Sequence, residues 1–183
     1  MTYNLKYALE KEDYVMFQLL VASTSVRIQK KRKRSRIIIP IIYLAFAAFS
    51  WYNGDITISA VFFVLSVIWF LFYPKYQALK YKKHFNAFVD ENFKSHYGIE
   101  TTTQLGETEI YSENSKGNTT VKVADITELI ETDQHIFVRL GVGMGLIFPK
   151  EKIENLQELQ DWVSKTSEKL GISNQVNLNW SWA

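Results

Sequence analysis

"QKKRKRSRIIIPIIYLAFAAFSW", Gln29 to Trp51, is the stretch on which the reading of the whole chain turns. Seven Lys or Arg crowd into Arg27–Arg36 and abut a run with no charge at all. A basic segment of this kind fits two roles. It can neutralise nucleic-acid phosphates, or it can form the collar at one end of a membrane helix. The residues beyond Arg36 separate the two. Ile37–Tyr52 is uncharged over 16 residues, Asn53-Gly54-Asp55 is a turn signal, and Ile56–Tyr73 is uncharged over 18 more. As helices these segments reach roughly 24 and 27 Å, against a hydrocarbon core of about 30 Å. Flanking Arg, Lys and Tyr can snorkel and cover the difference.

Neither segment shows the polar face of a helix in a soluble core. Tyr43, Trp51, Tyr52, Trp69 and Tyr73 lie mostly toward the segment ends, as an interfacial aromatic belt does. Arg27, Lys30, Lys31, Arg32, Lys33, Arg34 and Arg36 precede the first segment; Lys75, Lys80, Lys82 and Lys83 follow the second; the loop between holds only Asp55. Positive charge on both outer flanks predicts a two-helix transmembrane hairpin with both termini cytoplasmic. A nucleic-acid arm explains the first basic run but neither the later lysines nor the adjoining apolar run. The eleven basic residues are therefore expected to set topology and to touch anionic lipid headgroups.

The totals agree with this division. Residues 1–89 hold 13 basic and 4 acidic side chains, a balance of +9; residues 90–183 hold 8 and 15, a balance of −7. Any preference for polyanions belongs to the first half. The mean hydropathy of −0.10 averages one very apolar stretch with two polar ones. There is no cysteine, which excludes disulfides, cysteine–zinc sites and thiol catalysis. "MTYNLKYALEKEDY" lacks the apolar core of a signal peptide, so no cleavage is expected there.

Around the hairpin the periodicities change. "TYNLKYAL" reads as a short strand. Tyr14, Phe17, Leu20, Val21 and Ile28 form one stripe of a helix from Glu12 to about Ser35. Pro40 is expected in the first turn of the apolar helix, where its missing N–H costs little. Tyr76 to about Tyr97 reads as a further helix, ended by Gly98. From Ile99 the period becomes two, giving about five antiparallel strands between Thr102 and Phe148. Asn155–Leu170 reads as a closing helix, capped by Asn155 and ended by Gly171. Val176, Leu178, Trp180 and Trp182 alternate in the tail, which is expected to pack on the β module rather than on the membrane. The expected organisation is 1–36, N-terminal strand and basic amphipathic helix; 37–73, the hairpin, with spans 37–52 and 56–73; 74–98, a helical stalk; and 99–183, a cytoplasmic β module with its C-terminal helix. The class is α+β.

This order of parts, with "EDY" at Glu12-Asp13-Tyr14, "FPK" at Phe148-Pro149-Lys150 and "ADITELIETDQHIFVRL…LIFPKEKI" over Ala124–Ile153, resembles the bacterial YcxB-like membrane proteins. The resemblance implies a pleckstrin-homology-like fold for the C-terminal module and a place in the bacterial cytoplasmic (inner) membrane. It also implies that the N-terminal strand joins the module's sheet across the hairpin. It brings no catalytic residues.

Nor do the residues supply any. His84, His96 and His135 have no metal-ligand spacing and read as solvated or locally hydrogen-bonded. Gly141, Gly143 and Gly145 precede a strand, so they read as a hairpin loop rather than a phosphate cradle, which needs a helix after it. Glu107 with Glu109, and Glu128 with Glu131, read as an acidic strand face. The spans contain Ser50, Thr57, Ser59 and Ser66 and no charged residue for an ion path. No cofactor or metal is expected. The expected function is a non-catalytic, multi-pass membrane protein presenting its module to a protein partner. Lipids contact the hairpin and collar, nucleic acid plays no part, and a homo-oligomer stays open. The alternative is an enzyme or regulator acting on lipids or cell-envelope precursors.

Overall fold

In a computed structural model, residues 2–141 and 144–182 are described, in two compact units. One comprises the chain as far as Gln18 with Asn86–Ser181; the other comprises Leu19–Phe85 with Trp182. The class is α+β, with four α-helices and eight strands among the described residues.

The first unit holds two sheets. Strands β1 (Tyr3–Ala8), β2 (Glu100–Leu105), β3 (Glu109–Asn114) and β4 (Gly117–Lys122) form an antiparallel sheet in the order β1-β2-β3-β4. The N-terminal strand does join this sheet: Tyr3 pairs with Leu105 and Ala8 with Glu100, although two long helices intervene in sequence. Its inward positions Leu5 and Tyr7 alternate with exposed Asn4 and Lys6, the period that buries one sheet face. Strands β5 (Glu128–Glu131), β6 (His135–Arg139), β7 (Gly145–Pro149) and β8 (Asn174–Val176) form the second sheet, in the order β7-β6-β5-β8. In it β8 runs parallel to β5 and the other pairs are antiparallel.

Among the described residues, six strands, not five, lie between Glu100 and Pro149. Gly106 divides what reads in sequence as one alternating run: its N–H donates to the Glu109 carbonyl at 3.0 Å, and a Cβ there would stand 2.7 Å from that oxygen. "TTVKVADITELIE" is divided too, by a 3-10 turn at Val123–Asp125 that carries the chain from one sheet to the other.

Helix α4 (Leu156–Leu170) buries Leu159, Trp162, Val163 and Thr166. Trp162 packs in the core with Leu5, Leu105, Ile136, Val138 and Phe148, and its Nε1 donates to the Gly106 carbonyl at 2.9 Å. Asn155 precedes the helix as expected but makes no side-chain cap. Gly171 closes it in the left-handed conformation, φ 64°, with its own N–H and that of Ile172 returning to Glu168 and Ser167. The tail, expected to pack on the β module, does so only in part: it pairs with β5 over Asn174–Val176, Val176 and Leu178 are exposed, and Trp182 packs in the helical unit instead, its Nε1 donating to the Ala78 carbonyl.

Gly145 opens β7 rather than lying in a free loop; residues 142 and 143 of the "GVGMG" reading lie outside the described residues. A Cβ on Gly145 would meet the Val138 carbonyl at 2.6 Å and the Phe17 ring at 2.8 Å. Gly145→Ala is therefore expected to destabilise the first unit by about 1–3 kcal/mol through overpacking, read as a lower urea midpoint at unchanged slope.

The second unit is helical; the helical residues 11–18 and those from Asn86 onward belong to the first. Helix α1 (Lys11–Thr24) ends well before Ser35. Ser23 and Thr24 turn their hydroxyls back onto the Leu20 and Val21 carbonyls, and Ser25 leaves helical geometry to cap the next helix. That helix, α2 (Val26–Tyr52), carries the basic run and the first uncharged segment without a break. Pro40 consequently sits inside the helix rather than in its first turn. Helix α3 (Ile56–Phe93) likewise runs through Pro74 as one element, so the expected separate helix from Tyr76 is its continuation. A 3-10 turn, Lys94–His96, follows.

Helices α2 and α3 are each long and apolar enough to cross a membrane. Between them Ser66 Oγ donates to the Pro40 carbonyl at 3.2 Å, Trp69 Nε1 to the Ser35 carbonyl at 3.4 Å, and the Phe46 and Phe62 rings stack at 5.4 Å. The remaining faces are open: Ile41, Phe49, Trp51, Val61, Leu71 and Phe72 are all more than half exposed.

Candidate functional site

The eleven basic residues singled out in the sequence are not gathered around one pocket. Arg27, Lys30, Lys31, Arg32, Lys33, Arg34 and Arg36 occupy the first turns of α2, and Lys75, Lys80, Lys82 and Lys83 lie on α3 beyond Pro74. Gln29, Arg32, Lys33 and Arg36 recur at the three- and four-residue spacing that places side chains on one helix face. With Tyr73, Pro74 and Gln77 of α3 they line a pocket of about 210 Å³. Lys31 and Lys80 line a second pocket of about 250 Å³ with Gln77, Tyr81 and His84. Arg27, Lys30, Arg34, Lys75, Lys82 and Lys83 line neither.

Two features hold the first pocket's arginines in place. The Arg36 guanidinium lies 4.5 Å from the Phe70 ring centroid, and that of Arg32 lies 4.7 Å from the Trp182 ring. Trp182 itself is fixed by its Nε1, which donates to the Ala78 carbonyl at 3.1 Å, and by the edge of Tyr81 at 5.4 Å. On the α3 side Gln77 Nε2 donates to the buried Tyr73 hydroxyl, leaving the buried Gln77 Oε1 without a partner. Tyr73 and Gln77 carry no charge pattern that sequence reading could single out. Their i, i+4 spacing on α3 is the available signal, visible only once that helix is known to pass through Pro74.

The histidines separate. His84 lines the second pocket. His96 shares a hydrogen bond with its neighbour Ser95, 3.2 Å from Nδ1. His135 is neither solvated nor locally bonded: it is buried, its ring stacks on Phe137 at 5.1 Å, and its Nε2 lies 2.7 Å from Oδ1 of Asp13, 122 residues away. The other carboxylate oxygen of Asp13 accepts from the Glu10 backbone N–H at 2.8 Å and from Lys152 Nζ at 3.1 Å. A carboxylate can only accept here, so Nε2 carries the proton.

Burial alone would raise the Asp13 pKa. The hydrogen bonds from His135, the Glu10 amide and Lys152 outweigh it and hold the carboxyl below its ordinary value. His135 Nδ1 is buried without a partner, and the nearby Thr132 hydroxyl is taken up by the His135 backbone. The cluster thus ties the start of α1, the start of β6 and the turn Lys150–Lys152 together within one unit.

Two of the acidic residues singled out, Glu128 and Glu131, are paired. Glu128 meets Arg139, and Glu131 meets Lys150 at 2.7 Å and the Gln160 amide at 3.1 Å. Among the described residues no group of three His, Asp or Glu is placed to hold a metal ion. Comparison with protein-family models, with curated proteins and with solved structures returns no match to this chain.

Proposed function

We propose that the chain is a non-catalytic integral membrane protein: α2 and α3 cross the bilayer as a hairpin, and the β module is presented at its cytoplasmic face for protein interaction. The observation that carries the reading is the open apolar surface of the two helices. Only 11% and 17% of their most apolar windows are buried, whereas a core helix of a soluble protein is mostly covered. Strand pairing adds a topological reason. The chain leaves the first sheet at Ala8 and returns to the neighbouring position at Glu100, so the segment containing both helices begins and ends at one place. Two crossings satisfy that; one does not. The basic flanks then put the termini on the cytoplasmic side.

Two sheets with a C-terminal helix are also the parts of a pleckstrin-homology-like module, which is the fold we infer. Its −7 half of the chain disfavours headgroup recognition by the module itself. The β4 edge, Gly117–Lys122, is largely exposed, ends its sheet, and suits addition of a strand from a protein partner. Anchoring such an edge at a membrane raises its effective concentration toward other membrane components.

The chain is expected to stay in the membrane pellet through alkaline carbonate and to enter the supernatant only with detergent. Release by carbonate would overturn the reading. In-cell crosslinking with mass spectrometry on solubilised membranes tests the second half. Recurrent crosslinks from Thr102–Phe148 to another protein support a docking module; crosslinks confined to copies of this chain favour a structural homo-oligomer.

A further inference from the structure

We infer that the pocket lined by Gln29, Arg32, Lys33, Arg36, Tyr73 and Gln77 is a discrete site for one phosphate group, carried on an anionic phospholipid. This rests on the membrane reading and adds to it a stoichiometric site in place of a diffuse collar.

Four observations converge on the pocket. Its lining brings Lys33 and Arg36 together with the polar groups of Gln29, Tyr73 and Gln77 around about 210 Å³. The Arg36 guanidinium lies over the Phe70 ring, 4.5 Å from its centroid, which holds its fork before any ligand arrives. Gln77 completes the set. Its Nε2 gives one N–H to the Tyr73 hydroxyl, and an amide nitrogen carries a second, which is the donor offered to an anion in the pocket that Gln77 lines.

Depth is the fourth. Arg36 is followed directly by the uncharged run from Ile37, and Tyr73 is the last residue of the other uncharged run. In a hairpin that crosses the bilayer, this is the level of the phospholipid phosphates. A planar, pre-set arginine, the neighbouring Lys33 and an amide donor recognise phosphate oxygens by hydrogen bonds that are mostly charge-assisted, in a geometry a solvated collar lysine alone does not supply. A zwitterionic lipid carries a phosphate too, but its ammonium group would be brought against the same cations. The site therefore selects the anionic headgroup.

The test uses the full chain in detergent and native mass spectrometry to count lipids retained. Dioleoylphosphatidylglycerol, dioleoylphosphatidylcholine and inorganic phosphate are the probes. One retained phosphatidylglycerol is expected, with phosphatidylcholine binding clearly weaker. Lys33→Gln/Arg36→Gln should weaken it about tenfold or more, and Lys30→Gln/Arg34→Gln, which removes equal charge from the same turns outside the pocket, less than about twofold. Gln77→Leu should weaken it several-fold without changing charge. Circular dichroism of each variant checks the helices.

Equal loss in both double variants, or no loss in either, overturns the site. Binding of inorganic phosphate with the same variant pattern, and no retained lipid, overturns the lipid source and leaves a soluble anion. Carbonate release would instead remove the membrane reading on which the inference stands, so the two failures are distinguishable.

Discussion

Asp13→Ala is expected to lower the unfolding free energy of the β-sheet unit by about 3–5 kcal/mol. The substitution removes an acceptor from three donors at once: it strands the buried His135 Nε2, takes the side-chain partner of the Glu10 amide, and leaves Lys152 Nζ only the Ala8 carbonyl. Asp13 and His135 are 6% and 4% exposed, so water cannot replace the lost acceptor without opening the unit. Against a typical total of about 5–15 kcal/mol, this removes a large share of the stability. Thermal unfolding followed by circular dichroism should show the midpoint falling by about 10–20 °C. Glu12→Ala, one residue away and exposed, should stay within about 0.5 kcal/mol. Equal midpoints for the two variants would show that the buried cluster holds nothing together.

The same carboxylate fixes the direction of pH dependence. Its pKa in the fold lies below the ordinary value of 3.8, so the unfolded chain binds the proton more readily. The stabilisation is therefore fully present above that value and is lost as pH falls through the lower, folded one. His135, Lys152 and the neighbouring Tyr14 are the titratable groups around it. The acid limb of the unfolding midpoint should flatten in Asp13→Asn, which keeps the shape and removes the titration.

Trp162→Ala should cost a similar amount, about 3–5 kcal/mol, for a different reason. Trp162 is 3% exposed in the core between α4 and the sheets, and truncation leaves a cavity that the surrounding strands can close only by shifting. It also frees the Gly106 carbonyl at the β2–β3 turn. Trp162→Phe keeps most of the ring and loses the N–H donor, so it should cost about 1 kcal/mol. Chemical denaturation of the three chains side by side separates packing from the hydrogen bond. If Trp162→Phe proved as damaging as Trp162→Ala, the hydrogen bond rather than the packed volume would be the larger contribution.

What the amino-acid order determined by itself is what depends on near neighbours. The two uncharged runs end and begin at Tyr52 and Ile56 because Asn53-Gly54 turns the chain locally. Helix α4 ends at Gly171 because only glycine takes that left-handed geometry at little cost. Where two local signals compete, reading along the chain fails. The stripe through Tyr14 to Ile28 has the spacing of one helix, but the hydroxyls of Ser23, Thr24 and Ser25 end α1 and start α2 there. That restart in turn moves Pro40 from a first turn to a helix interior.

Tertiary structure decided the rest. Ala8 meets Glu100, Asp13 meets His135, and Lys33 and Arg36 share a pocket with Tyr73 and Gln77. Each pairing closes a loop of tens of residues, whose entropy is repaid only by packing assembled from several elements together. No window of neighbouring residues contains that sum, so no local pattern could announce those partners.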